Sequence, residues 1–106
     1  MLDVAYSDLA KADLKRLARY RRDCAAEVLR IVREELRVDG RVSDAYGPHI
    51  LNNPNGHYSG YMEFHAFEDV LVLYYPPFTH GFVRIQRVCT HAELQDGVFG
   101  VEWPHC

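Results

Sequence analysis

At 106 residues, 48% of them hydrophobic, and with a net charge of −3, the chain suits one domain spanning residues 1–106. Divided in two, it would leave each half short of a self-sufficient core. The acidic balance argues against a general nucleic-acid binder, whose affinity rests on many Lys and Arg set against phosphate, so any RNA contact has to be local or helped by a larger host.

No apolar run nears the roughly 20 residues of a membrane-spanning helix. The opening MLDVAYSD carries acid where a signal peptide carries base, so a cytoplasmic location and no membrane partner are expected. Cys24, Cys89 and Cys106 stand at unrelated spacings that fit neither a disulfide framework nor a CxxC zinc site. Cys24 and Cys89 read as small core residues. Charge is split along the chain: beyond Arg41 only Arg84 and Arg87 are basic, and all 6 His fall there.

In chain order, Leu2, Val4 and Tyr6 alternate with Asp3 and Ala5, which predicts a short first strand. Ser7 then caps a helix running to about Tyr20, with Ala10, Leu14, Leu17 and Ala18 as its apolar stripe. A second helix has Asp23 as N-cap, the stripe Ala25, Val28, Leu29, Val32 and Leu36, and the pair Asp39-Gly40 as its end. The two form a helical hairpin. From Gly47 to Gly60 the segment GPHILNNPNGHYSG reads as a loop holding His49 and His57, anchored by Ile50 and Leu51.

Met62 and Phe64 then alternate with Tyr61, Glu63 and His65, giving a strand with an apolar back and an ionisable front. Val70 to Tyr75 is apolar on both faces, as in a central strand, and Pro76-Pro77 ends it. Phe82 to Val88 is its partner, and the residues after Gln95 form a short aromatic tail. The expected fold class is α+β: an N-terminal strand, a helical hairpin, then a three-stranded antiparallel meander. Helix stripes and strand backs have to cover each other, which places Leu14, Leu17, Val28, Val32, Met62, Phe64, Val72 and Ile85 in the core.

Two strands thus bring a cation, imidazoles and carboxylates to one end of the sheet. Cleavage of RNA by its own 2′-hydroxyl needs a base, an acid for the leaving 5′-oxygen, and positive charge on the crowded phosphate. Histidine suits both proton roles, since its ordinary pKa of about 6.5 populates either form near neutrality. His49, His65 and His91 are the candidates, Asp69 or Glu63 would orient an imidazole, and Arg87 would hold phosphate oxygens through its planar fork. Simple alternation puts Arg87 on the face of Val83 and Ile85, so a bulge or strand end has to turn it outward. Each residue also has a plainer reading: a surface histidine, a strand-initiating aspartate, a solvated glutamate. His57, His80 and His105 keep it, as do the helix arginines.

Taken in order, the helices, His49 and Leu51 as H-x-L, the run Gly60, Tyr61, Glu63 and His65, then Asp69 with Tyr74, and Arg87, Thr90, His91 and Leu94 as R-x-x-T-H-x-x-L resemble the RelE/ParE toxin superfamily, particularly its YafQ branch. The resemblance covers roughly Tyr6 to Leu94. It implies a RelE-like fold and a toxin that enters the ribosomal A site, cuts messenger RNA there and is neutralised by a cognate antitoxin. It implies catalytic His49, His65, Asp69, Arg87 and His91, substrate contacts by Glu63 and Gln95, and no cofactor or metal. The chain departs from the family at Val70 and Gln95, where aromatics are usual, and in a longer loop after His49; Phe99 or Trp103 of the tail are the substitutes. Two other readings are a noncatalytic ParE-like toxin binding another target such as gyrase, and a metal protein using His49, His57, His65, Glu63 and Asp69, whose spacing matches no closed zinc pattern.

Overall fold

The structure, a computed structural model, describes residues 1–100 except 53–55, 57, 68 and 78–80. His57, His80, Trp103, His105 and Cys106 therefore lie outside the described residues. Strand β1 (Asp3–Tyr6) leads directly into helix α1 (Asp8–Tyr20). Ser7 caps it as its sequence position suggests: its Oγ accepts from the Ala10 N–H and donates to the Gln86 carbonyl at 2.6 Å, so one residue starts the helix and ties it to the sheet. After Arg21, whose backbone is extended, come α2 (Arg22–Ile31), a π-helical stretch (Val32–Leu36) and a last turn, α3 (Arg37–Asp39), stopped by Gly40 at φ 74°, where a Cβ would be strained.

Two details of this hairpin differ from expectation. Asp23 is not the N-cap; Arg21 holds that position, and the Asp23 carboxylate in the first turn instead accepts two hydrogen bonds from the Arg21 guanidinium, which hold its pKa down at about 2. Leu29 is 40% exposed while Ile31 is fully buried, so the helix presents Val28, Ile31, Val32 and Leu36 to the core.

The sheet has five strands in the order β1-β5-β4-β3-β2, with β2 (His49–Ile50), β3 (Met62–Phe67), β4 (Val70–Tyr75) and β5 (Phe82–Cys89). The expected meander β3-β4-β5 is present and antiparallel, but the sheet is wider and mixed. β1 pairs in parallel with the outer edge of β5, and His49–Ile50, taken from the sequence as loop, pairs with Glu63 and Met62. A two-residue strand flanked by Pro48 and the Asn-Pro-Asn run has no periodicity to reveal it.

The helices cover one face. Leu17, Val28, Val32, Phe64, Val72 and Ile85 are buried together, with Leu14 and Met62 partly buried at the rim, as the stripe argument requires. On the opposite face Leu71, Leu73, Cys89 and Leu94 form a second apolar cluster, against which Leu51, Tyr58, Tyr61 and Phe99 pack. Both faces of β4 are thus covered, which is why its sequence shows no alternation. Cys24 and Cys89 are both buried, in keeping with core roles. Among the described residues no helix is long and apolar enough to cross a membrane.

Leu17 is the test of the helix–sheet core. Leu17→Ala empties a fully buried site and should lower unfolding stability by about 2–5 kcal/mol in urea titration, while an unchanged midpoint would contradict the packing described.

Candidate active site

The second face of the sheet carries the ionisable residues, and the register fixes their order. His49 stands opposite Glu63, Glu63 opposite Leu73, and Leu73 opposite Arg87; one row away, His65 stands opposite Leu71 and Leu71 opposite Cys89. The imidazoles and carboxylates lie at the β2–β3 side and at the ends of β4 and β5. Apolar residues fill the middle.

Glu63 is buried, its side chain only 4% exposed, although it points away from the helices. Its Oε1 is 3.2 Å from His65 Nε2 and 3.4 Å from His49 Nε2, so one carboxylate oxygen serves two imidazoles. His49 Nδ1 donates to the Gly47 carbonyl at 2.9 Å, which fixes the ring from its other side. On the far side of His65 the His91 ring stands edge-on, its centroid 5.1 Å away, while His49 and His65 are 6.3 Å apart. The three rings form a row open to solvent, with side-chain exposures between 37% and 52%.

His91 opens helix α4 (His91–Asp96), an element absent from the sequence reading, which placed the residue on an open strand end. Its helix start was legible: Thr90 and Glu93 form a reciprocal capping box, Thr90 Oγ1 accepting from the Glu93 N–H and Glu93 Oε1 from the Thr90 N–H. Asp69, in the turn between β3 and β4, accepts from both the backbone N–H and Nδ1 of His91, at 3.0 and 2.8 Å, through the same oxygen. A proton held on Nδ1 leaves Nε2 as the working nitrogen. Gln95 lies one turn beyond His91 on α4 and is exposed.

Arg87 is placed differently. A bulge is present where one is needed: Leu73 faces Arg87 but Tyr74 faces Ile85, so Gln86 is the extra residue and Arg87 turns off the helix-side core. Its head does not join the histidines. It runs to the outer edge of β5, where Nε and Nη2 each donate to Asp13 of α1 at 2.9 Å, and the same carboxylate accepts the Val88 N–H at 3.0 Å. Burial works against the Arg87 charge, but the Asp13 hydrogen bonds and charge, with the Tyr58 hydroxyl, outweigh it and hold the guanidinium above its usual range. The Phe99 ring lies 3.8 Å from the guanidinium carbon. In register, two strand spacings, about 10 Å, separate Arg87 on β5 from Glu63 on β3, while His91 follows Arg87 by four residues at the end of the same strand.

Asp13 is the residue sequence reasoning missed. Its signal was a carboxylate three residues after Ala10 and four before Leu17, on a stripe otherwise apolar. Cys89 lies near the site, but burial pushes its thiol well up, which leaves it no nucleophile. Among the described residues Glu63, His65 and His91 offer ligand atoms within 4.8 Å of one another, so two of the metal-ligand candidates read from the sequence, Glu63 and His65, converge with His91, while His57 lies outside the described residues.

The fold has known counterparts. Residues 2–96 match the family model described as a bacterial toxin of a type II toxin–antitoxin system, YafQ. The chain belongs to the YafQ family of type II toxins. It shares 26% identity with the toxin in the Escherichia coli DinJ–YafQ toxin–antitoxin complex, covering 93% of this chain and 98% of that one with a TM-score of 0.65. YafQ from E. coli strain BL21(DE3) superposes at TM-score 0.61 with 24% identity, over 94% of this chain and all of that one. The Staphylococcus aureus YoeB toxin from its complex with YefM, at 14% identity and TM-score 0.64 over 86% and 98%, shares the fold. No curated protein sequence matches the chain at a significant level. In this YafQ-family toxin, as expected from its sequence, the RelE-like α+β arrangement holds.

The Asp13–Arg87 pair yields a prediction at odds with a purely catalytic Arg87. With side chains 4% and 8% exposed, removing either partner strands a buried charge, so Asp13→Ala and Arg87→Ala should each cost about 3–5 kcal/mol in denaturant unfolding. Stability within a few tenths of wild type would refute it.

Proposed function

We propose that this toxin is a metal-independent endoribonuclease that cleaves messenger RNA in the ribosomal A site, held in check by a cognate antitoxin. The observation that carries the reading is the row of three open imidazoles seated on Glu63 and Asp69. Transesterification needs two proton-transfer groups within reach of one phosphate, and His65 and His91 supply a neighbouring pair, their rings meeting edge-on at a centroid distance of 5.1 Å. Asp69 fixes His91 with Nε2 outward, the arrangement of an orienting carboxylate behind a base. Glu63 instead meets His65 and His49 through their Nε2 atoms, which makes Nδ1 the working nitrogen of His65.

In the proposed reaction one of His65 and His91 takes the 2′-hydroxyl proton. The oxygen attacks phosphorus, and the other imidazole returns a proton to the departing 5′-oxygen. His49, whose two nitrogens face the Gly47 carbonyl and Glu63, closes the end of the row and holds Glu63 in place beside His65. The acidic chain has little general affinity for RNA, so the ribosome supplies the concentration and orientation of the message. Gln95, exposed on α4 one turn from His91, would touch a neighbouring nucleotide in this reading. Val70 cannot take the stacking role, because its side chain lies in the helix-side core.

The antitoxin partner is inferred from the DinJ and YefM complexes of the related toxins. Here the exposed Leu9, Tyr20 and Leu29 leave apolar surface on the outside of the hairpin for it. The reading places the protein in the cytoplasm, where ribosomes are.

Primer extension on translated message, with and without the pure protein, is the test. His91→Ala should lower cleavage by about 10² to 10⁴ with an unchanged circular dichroism spectrum, and His65→Ala and Asp69→Ala should follow with smaller losses. A zinc-selective chelator should leave the wild-type rate as it is. Full toxicity without message cleavage would favour a noncatalytic target, and cleavage lost to the chelator and restored by zinc would assign the Glu63, His65 and His91 cluster to a metal.

A further inference from the structure

The ionisable face of the sheet continues past the imidazole row into a group of rings. Tyr61 directly precedes β3 and shares its face with Glu63 and His65; its ring meets that of Tyr75, the last residue of β4, at a centroid distance of 5.1 Å and an angle of 47°. Tyr58 stands edge-on to Tyr61, 5.4 Å away. Because Tyr74 lies in the helix-side core, Tyr75 is on the opposite face, and its register partner Arg84 is there with it, between the buried Val83 and Ile85. Phe82, two residues back along β5, falls on the same face.

Tyr75 is 50% exposed and Phe82 44%, on a face whose next residue inward on β4, Leu73, is fully buried. Beyond Arg41 the chain has only two basic residues, and their settings differ: Arg87 is buried against Asp13, whereas Arg84 is exposed and has no ion pair among the described residues. Unstacked bases are held by aromatic faces and by guanidinium planes, and stacking does not suffer from the acidic balance that weakens general phosphate binding in this chain. Along β3, Tyr61 lies two residues from Glu63 and four from His65, about 7 and 13 Å at the rise of a strand. A base resting there belongs to a nucleotide flanking the cut, not to the one whose hydroxyl attacks. Asp3, opposite Phe82 on β1, is the acid at the border and repels phosphate from that corner, which leaves the Tyr75 side as the line of approach. We propose that Tyr75, with Tyr61 against it and the Arg84 guanidinium beside it, is a stacking platform for a nucleobase of single-stranded RNA flanking the scissile phosphate. The substrate is that of the nuclease reading, on which this inference rests. Stacking holds the base equally before and during the transfer, so the platform contributes affinity and leaves the chemical step alone.

The experiment compares wild type, Tyr75→Ala and Tyr75→Phe, each checked for folding by circular dichroism. In single-turnover cleavage on programmed ribosomes, Tyr75→Ala should raise the half-saturating toxin concentration about tenfold, the order of one stacked base, with the maximal rate within about twofold of wild type. Tyr75→Phe keeps the ring and should match wild type in both. The second readout needs no cleavage: ribosomes are programmed with a message carrying 2′-O-methyl groups at the A-site codon and 5-iodouridine beside it, the toxin is added, and the complex is irradiated. Mass spectrometry of the crosslinked peptides should find Tyr75 or Tyr61. Wild-type half-saturation in Tyr75→Ala, an equal loss in Tyr75→Phe, or crosslinks confined to other residues would overturn the platform. A Tyr75→Ala defect seen only in neutralisation by the antitoxin would overturn it too, and would assign the surface to that partner. Absence of cleavage by all three proteins, with the crosslink to Tyr75 or Tyr61 in place, would instead overturn the nuclease reading and leave the platform standing; absence of both would overturn both.

Discussion

One buried carboxylate organises this fold. β1 pairs with β5 as far as Tyr6, and beyond it no other strand among the described residues lies along the outer edge of β5. Asp13 takes over there, accepting the Val88 N–H as a neighbouring strand's carbonyl would and closing on the Arg87 guanidinium with the oxygens it has. A helix that follows the strand after Ser7 alone thereby continues the sheet's hydrogen bonding. Because Val88 lies three residues before His91, the same contact sets where β5 ends and where α4 begins.

From that point the site is assembled by a sequence of local commitments. Thr90 and Glu93 close the capping box, which aims His91 toward the β3–β4 turn, and Asp69 in that turn receives both its backbone and its ring. The opposite wall comes from β2 and β3, where Glu63 is sunk between two imidazoles. Buried carboxylates are held by neighbours of opposite character in all three cases, Asp13 by arginine, Glu93 by arginine and backbone, Glu63 by histidine. Only Glu63 has partners open to solvent. That difference separates the part of the molecule that holds the fold from the part free to handle protons.

Much of this was legible in the sequence, and what was not has a physical reason. The stripe of α1, the alternation of β3 and the all-apolar β4 announced helices, strands and core because burial imposes periodicity. Glu63, His65, Asp69 and His91 were recognised as one set because strand parity and motif order placed them at one end of the sheet. Asp23 as a cap and Leu29 in the core misled because an N-cap residue and its neighbours in the first turn share a composition, and a residue at the stripe's margin can fall on either side. β2 is too short to carry a pattern, and its pairing with Glu63 is a tertiary event. Arg87 is the instructive case. Its bulge was inferable from alternation, but its partner lies 74 residues earlier, and no local signal connects the two.

Proton transfer by paired imidazoles, with RNA's own hydroxyl as nucleophile, is the chemistry proposed for this surface. The chemical identity of the cut ends decides it. Mass spectrometry of message fragments from toxin-treated translating ribosomes should find a 2′,3′-cyclic phosphate on the upstream fragment and a 5′-hydroxyl on the downstream one. A 3′-hydroxyl paired with a 5′-phosphate would mean that water attacked instead, and would contradict the mechanism.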